Sequence, residues 1–198
     1  AAIDRLIYYA GWTDKYQQVF GAVNPVASSH FNFSMLEATG VVAAFAPEKS
    51  PLLGLVSVIA PIIAGGNTCI ILASEEYPLP AISFAEVLNS SDVPGGVVNI
   101  LTGSKEELAE HFSSHMDVNA MCYTDALPKD MKVTIDENAS LNVKRIVKKN
   151  IEDWYEEDVQ SPYFITDFQE TKTTWHPVGL FLYRTNGSKC YGRSQKEL

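Results

Sequence analysis

The sequence predicts an α/β fold: a parallel sheet with helices on both faces, followed by a short β-rich tail. Three observations predict it. From residue 40 to residue 123, short uncharged runs alternate with longer segments of helical period. The runs lie far enough apart for the right-handed crossover that parallel neighbours need. Gly and Pro pairs mark the junctions. With 46% hydrophobic and 20% charged residues among 198, the chain can also bury a sizeable core.

Residues 1–20 read as an amphipathic helix, because Leu6, Tyr9, Trp12 and Tyr16 recur every three or four positions. Residues 41–46 (VVAAFA) read as a strand buried on both faces, and Ser50-Pro51 opens an apolar helix over 52–64 that Gly65-Gly66-Asn67 ends. Residues 68–73 (TCIILA) form the second strand. Pro78 starts a helix with Ile82, Ala85, Val87 and Leu88 facing inward, and 92–96 form a loop. Residues 97–101 (VVNIL) are the third strand. Ser104 and Glu107 have capping-box spacing for a helix that turns Leu108 and Phe112 inward, and a fourth strand, AMCY, lies within 117–123.

Behind this unit the character changes. Residues 129–142 are polar, 143–147 (VKRIV) suit a short strand, and 151–161 are acidic and aromatic. Residues 168–178 alternate, are rich in Thr and read as an edge strand stopped by Pro177. The expected division is a domain over 1–127 that includes the N-terminal helix, then a linker and β-rich tail over 128–198.

Fifteen basic against twenty-four acidic residues give a net charge of -9, which disfavours nucleic acid and anionic membrane surfaces as partners. The longest apolar stretch, 51–64, is too short to span a bilayer. No basic-then-apolar segment opens the sequence, so a cytoplasmic setting is expected and the Asn-x-Ser triplets at Asn32, Asn89, Asn138 and Asn186 are read as chance matches. Cys69, Cys122 and Cys190 are widely spaced with no CxxC, which argues against a disulfide framework or a zinc site.

Open parallel sheets bind ligands beyond the carboxyl ends of their strands. The loops at those ends contain no G-x-G-x-x-G and no P-loop. Thr102-Gly103-Ser104 can offer N–H groups to a phosphate, and a plain helix cap accounts for it equally. His111 and His115 share a helical spacing without the acidic partner of a zinc helix and read as solvated surface. Ser114, His115 and Asp117 are too close in sequence to form a triad. Cys69 and Cys122 fall in core strands, where a thiol is an inert small hydrophobe. Cys190 has no base beside it. No catalytic residue and no metal site is assigned.

The motifs together resemble the aldehyde dehydrogenase superfamily. Tyr8-Tyr9-Ala10-Gly11-Trp12-x-Asp14-Lys15 is similar to the helix before that family's cofactor domain. Gly40-Val41-Val42, Pro51-Leu52-Leu53, Ala60-Pro61, Gly66-Asn67-Thr68, Pro94-Gly95-Gly96-Val97-Val98-Asn99, Gly103 and His115-Met116-Asp117-Val118 follow in the family's order. A Pro-acidic-x-x-Pro turn (47–51) in place of Pro-Trp-Asn, and the run 91–100, most resemble the degenerate second module of the family-16 members. The resemblance implies a Rossmann-like cofactor domain and NAD as cofactor.

Several positions depart from the family. Lys49 stands where an Asn helps hold the thioester oxyanion. Leu72 stands where a Lys bonds the adenosine ribose, although Glu75 matches the Glu that shares this task. Asp125-Ala126-Leu127 replaces the Gly-Ser loop under the pyrophosphate, setting a negative charge where phosphates belong. No Glu-Leu-Gly-Gly or Gly-Gln-x-Cys segment occurs. Residues 168–175 resemble the family's last strand, which adds to an oligomerisation sheet, so the chain passes from cofactor domain to terminal strand without the catalytic domain.

The expectation is therefore a pseudoenzyme that acts as a structural or protein-interaction module. No cofactor is expected, and Glu75 and Gly103 are vestiges of a cofactor site. The partner is another protein chain or a second copy, engaged through the C-terminal strand, with Trp154, Tyr163, Phe164, Thr173 and Trp175 at the interface. The alternatives are a residual NAD-binding module and an aldehyde oxidoreductase subunit completed by another chain.

Overall fold

The computed structural model describes residues 1–124 and 127–178. In chain order these form α1 (Ala2–Ala10), α2 (Tyr16–Phe20), β1 (Ala22–Asn24), β2 (His30–Ala38), β3 (Val41–Phe45), α3 (Leu53–Ala64), β4 (Thr68–Leu72), α4 (Leu79–Ser90), β5 (Val98–Leu101) and α5 (Lys105–Ser114). There follow β6 (Ala120–Tyr123), α6 (Lys129–Ser140), β7 (Arg145–Lys148), a 3₁₀ turn (Glu157–Val159), α7 (Tyr163–Thr166) and β8 (Gln169–Pro177).

The central sheet has the order β5-β4-β3-β6-β7, and every pair in it is parallel. Its inner strands carry side chains alternately to two buried faces, which is why they read as unbroken apolar runs. Val42, Ala44, Cys69, Ile71, Ala120 and Cys122 pack on one side against α3 and α4. Ala43, Phe45, Leu72, Met121 and Tyr123 pack on the other against Ala109 and Phe112 of α5 and Ile135 of α6. The expected strands and the helices between them are all present. Among the described residues no helix is long and apolar enough to cross a membrane.

Several expectations need correction. The helix expected over 1–20 breaks at Gly11: a turn over 11–15 separates α1 from α2, and it brings Tyr9 and Tyr16 into one small core with Leu36 and Ile165. The buried face of α4 is Ala81 and Phe84, with Ala85 and Leu88 partly covered, whereas Ile82 is 44% and Val87 59% exposed. Ser104 caps α5 as expected, but its hydroxyl accepts from the N–H of Glu106 and not of Glu107. The polar run expected as linker is α6, whose buried stripe is only Ile135 and Ala139. With β7, it extends the same sheet across the boundary expected at residue 127.

A second sheet, β1-β2-β8, is antiparallel throughout. The strand expected over 168–178 is β8, and it pairs within the chain with β2. Arg145 also reaches it: its guanidinium donates to the carbonyls of Asp167 and Gln169 at 3.0 and 2.6 Å and pairs with Glu170 at 2.7 Å. This side-chain tie holds β8 to the sheet while its backbone pairs with β2.

The acidic, aromatic stretch before α7 is fixed by Arg5. From the buried face of α1, its guanidinium donates to Ser57 Oγ at 3.0 Å, the carbonyl of Val159 at 2.9 Å and that of Trp154 at 3.1 Å. Its acceptors among the described residues are all neutral, and burial lowers its pKa. Trp154, 2% exposed, packs into the core on the α3 side of the central sheet.

Arg5→Ala strips donors from two buried carbonyls. We expect it to cost roughly 3 kcal/mol, measured as a lower urea midpoint with unchanged slope. A change within error would mean that the carbonyls of 154 and 159 find other donors.

Candidate functional site

The strand order reverses between β3 and β6, and the loops leaving β3, β4 and β6 diverge there around a crevice of about 790 Å³. Such a switch point is where open α/β sheets bind ligands. The walls come from Glu48 and Lys49 after β3, Glu75 after β4, Ser104 and Lys105 at the start of α5, Thr124 after β6, and Leu127, Met131 and Ile151 opposite.

The head of the crevice is organised around Glu48. Its Oε1 lies 2.7 Å from Lys105 Nζ and 3.3 Å from the N–H of Glu75; its Oε2 accepts from Ser74 Oγ at 2.5 Å and from the N–H of Glu76 at 3.2 Å. Burial by itself would raise the Glu48 pKa, but the bonds from Lys105, Ser74 and Glu76 outweigh it and hold the carboxyl below its ordinary value of 4.5. Glu75 is also committed, because its Oε1 accepts the N–H of Lys105 at 2.5 Å and so caps the first turn of α5.

This arrangement does not fit the dinucleotide that the fold family implies. Leu72 is fully buried between the sheet and α5, where it offers no donor. Glu75 spends a carboxylate oxygen on α5, and Gly103 is not among the residues lining the crevice. Four carboxylates, Glu48, Glu75, Glu106 and Glu152, face two ammonium groups, Lys49 and Lys105. The buried hydroxyl of Thr124 has no partner among the described residues, but one neutral hydroxyl does not balance a pyrophosphate. Asp125 and Ala126 lie outside the described residues.

The two described thiols are fully buried: burial pushes Cys122 up to about 12 and raises Cys69 as well. Both are inert packing groups, and Cys190 lies outside the described residues. His111 and His115 are on the surface, and no group of His, Cys, Asp and Glu able to hold a metal occurs among the described residues.

The residues expected at an interface separate. Trp154 is core. Phe164 is half-buried beneath Lys149, whose Nζ lies 3.2 Å from its ring centre and pairs with Asp167. Tyr163 is 65% exposed and packs edge-on against Phe20. Thr173 and Trp175 lie exposed on β8: the Thr173 hydroxyl bonds Ser34 Oγ, and the Trp175 ring meets His30 edge-on. The sequence reading missed the role of Glu48. Its only signal was an acidic residue in the turn after β3, because Lys105 comes beside it through topology alone.

The profile of the aldehyde dehydrogenase family matches residues 1–151. The hydroxyisobutyraldehyde dehydrogenase of Mycolicibacterium austroafricanum is 33% identical over 147 residues, which are 74% of this chain and 28% of that protein. An aldehyde dehydrogenase of Agaricus bisporus is 31% identical over 191 residues, 96% of this chain and 36% of that one. The structure of the NAD+ complex of the Bacillus cereus aldehyde dehydrogenase is similar with a TM-score of 0.68 at 25% identity, covering 75% of this chain and 29% of that one. The chain thus spans 28% and 36% of the two curated relatives.

Because the folded-state pKa of Glu48 is depressed, the stability it contributes is present above its unfolded value and is lost as pH falls through the folded one. The melting difference between the native chain and Glu48→Gln is therefore expected at neutral pH and should close as pH is taken down through the depressed titration of Glu48. Circular dichroism melts across that range check it, and a gap independent of pH would show that the ion pair does not stabilise the fold.

Proposed function

The chain belongs to the aldehyde dehydrogenase family, and from that premise we propose that it works as a protein-interaction module and does not itself oxidise aldehydes. In this reading it is a degenerate unit similar to the second module of the family-16 members. Aldehyde oxidation through a thioester needs a thiolate, an oxyanion hole and an oriented hydride acceptor together. Among the described residues the thiols are buried and the crevice does not fit the acceptor.

The observation that carries the reading is the outer edge of β8. Among the described residues β8 is the last strand of its sheet. The N–H of Val178 donates to the carbonyl of Ser29, and the N–H of Thr39 to that of Phe168, so alternate residues of β8 bond inward to β2. Thr171, Thr173 and Trp175 consequently point their N–H groups away from β2. An edge of this kind takes a strand from another chain, a second copy included. Trp175, 57% exposed, and Tyr163 supply the aromatic anchors that strengthen such contacts.

Thr173→Pro removes one outward donor and leaves the backbone bonds to β2 in place, giving up only the exposed hydroxyl contact with Ser34. By light scattering on the eluting protein, the native chain should assemble with itself or with a co-purifying chain. The variant should keep its circular dichroism spectrum and lose that assembly by tenfold or so in affinity. Retained assembly would rule out the β8 edge. In parallel, the chain with NAD and aldehyde should form no NADH. Turnover by the chain alone would overturn the inactive reading, and turnover only with an added partner would favour the subunit completed by another chain.

A further inference from the structure

We propose that the head of the crevice is an oxyanion receptor that the chain fills with its own side chain, the carboxylate of Glu48. Among the described residues, Ser74 Oγ, the N–H groups of Glu75 and Glu76, and Lys105 Nζ converge on that carboxylate. They come from the β4 loop and the first turn of α5, and Glu48 comes from the β3 loop, so the receptor and its occupant belong to different segments. The donors are fixed before the anion arrives. Ser74 is 2% exposed and its oxygen accepts the N–H of Tyr77 at 3.0 Å, which leaves its proton to point at Glu48. Lys105 is 9% exposed, and its backbone is anchored by Glu75.

Two backbone N–H groups, a hydroxyl and an ammonium in a half-buried recess match a carboxylate or a phosphate. While Glu48 occupies them, a free oxyanion finds its donors taken and a negative charge in its way. The same occupancy opposes the phosphates of a dinucleotide, which adds to the obstacles already present at Leu72 and Glu75. The inference is independent of the interaction role, because its readout is stability and not assembly.

The test is chemical rescue. Glu48→Ala and Glu48→Ser remove the occupant and leave the donors, whereas Glu48→Gln keeps the volume filled. Melting is followed with sodium formate, acetate and phosphate on the order of 100 mM, against chloride at equal ionic strength. Both truncations should melt below the native chain and recover saturably by about 3–6 °C at tenfold excess over the dissociation constant. Glu48→Gln and the native chain should not respond, and millimolar NAD should not shift the native chain. Truncations that respond to formate no more than to chloride would overturn the proposal, as would truncations that stay unfolded in formate. A saturable shift of the native chain with phosphate or NAD would overturn it as well.

Discussion

A parallel sheet covered on both faces leaves the chain little freedom about where its loops go. Each strand must be followed by a crossover that returns to the same end, so the turns that leave β3, β4 and β6 meet on one side of the sheet. The strands supply position, and a handful of loop residues supply chemistry. The residues that make this crevice distinctive, Glu48, Ser74, Glu75 and Lys105, sit just past strand ends or at a helix start, while the layers beneath them are ordinary Ala, Val, Ile and Leu. A fold can therefore persist while its site changes character.

Three buried cations show different ways of meeting the cost of desolvation. Lys105 pairs with a carboxylate. Arg5 spreads its charge over a hydroxyl and two carbonyls, which ties α1 to α3 and to the segment before α7. Lys144 sets its ammonium on the carbonyls of His115 and Val118, where burial lowers its pKa and the loop after α5 is held to the start of β7. Guanidinium suits the second task because its planar fork reaches several acceptors at once, whereas a compact ammonium serves the other two. In each case the charge joins segments far apart in sequence.

Much of the central sheet was legible because its strands obey the rule for double burial, and the helices between them carry Pro, Gly and Ser at their ends. The first hairpin was not. On β2 the less exposed face is Asn32, Ser34 and Leu36, while Phe31 and Met35 stand exposed, which inverts the usual alternation. Helix α6 was hidden because two buried residues make too thin a stripe to set a period. At the site, the sequence had singled out Glu75, which lines the crevice, and Leu72, which lies buried behind it. The pairing of Glu48 with Lys105 was invisible, since periodicity describes neighbours along one element and this pair is made by two loops that only the strand order brings together.

The ladder between β2 and β8 joins residues 30–38 to residues 169–177, and Arg5 makes a second long-range connection, to residues 154 and 159. On the ribosome this sets an order of events. The β1–β2 hairpin is translated roughly seven to thirty seconds before β8 is complete. Until β8 is made, Phe31 and Phe33 belong to a strand that lacks its β8 partner, and the carbonyls of Trp154 and Val159 that Arg5 holds are themselves late to arrive. The parallel layers can condense as they are made, but the N-terminal helix and hairpin close only after translation has passed residue 177. Their exposure to chaperones is thus written into the connectivity of the fold.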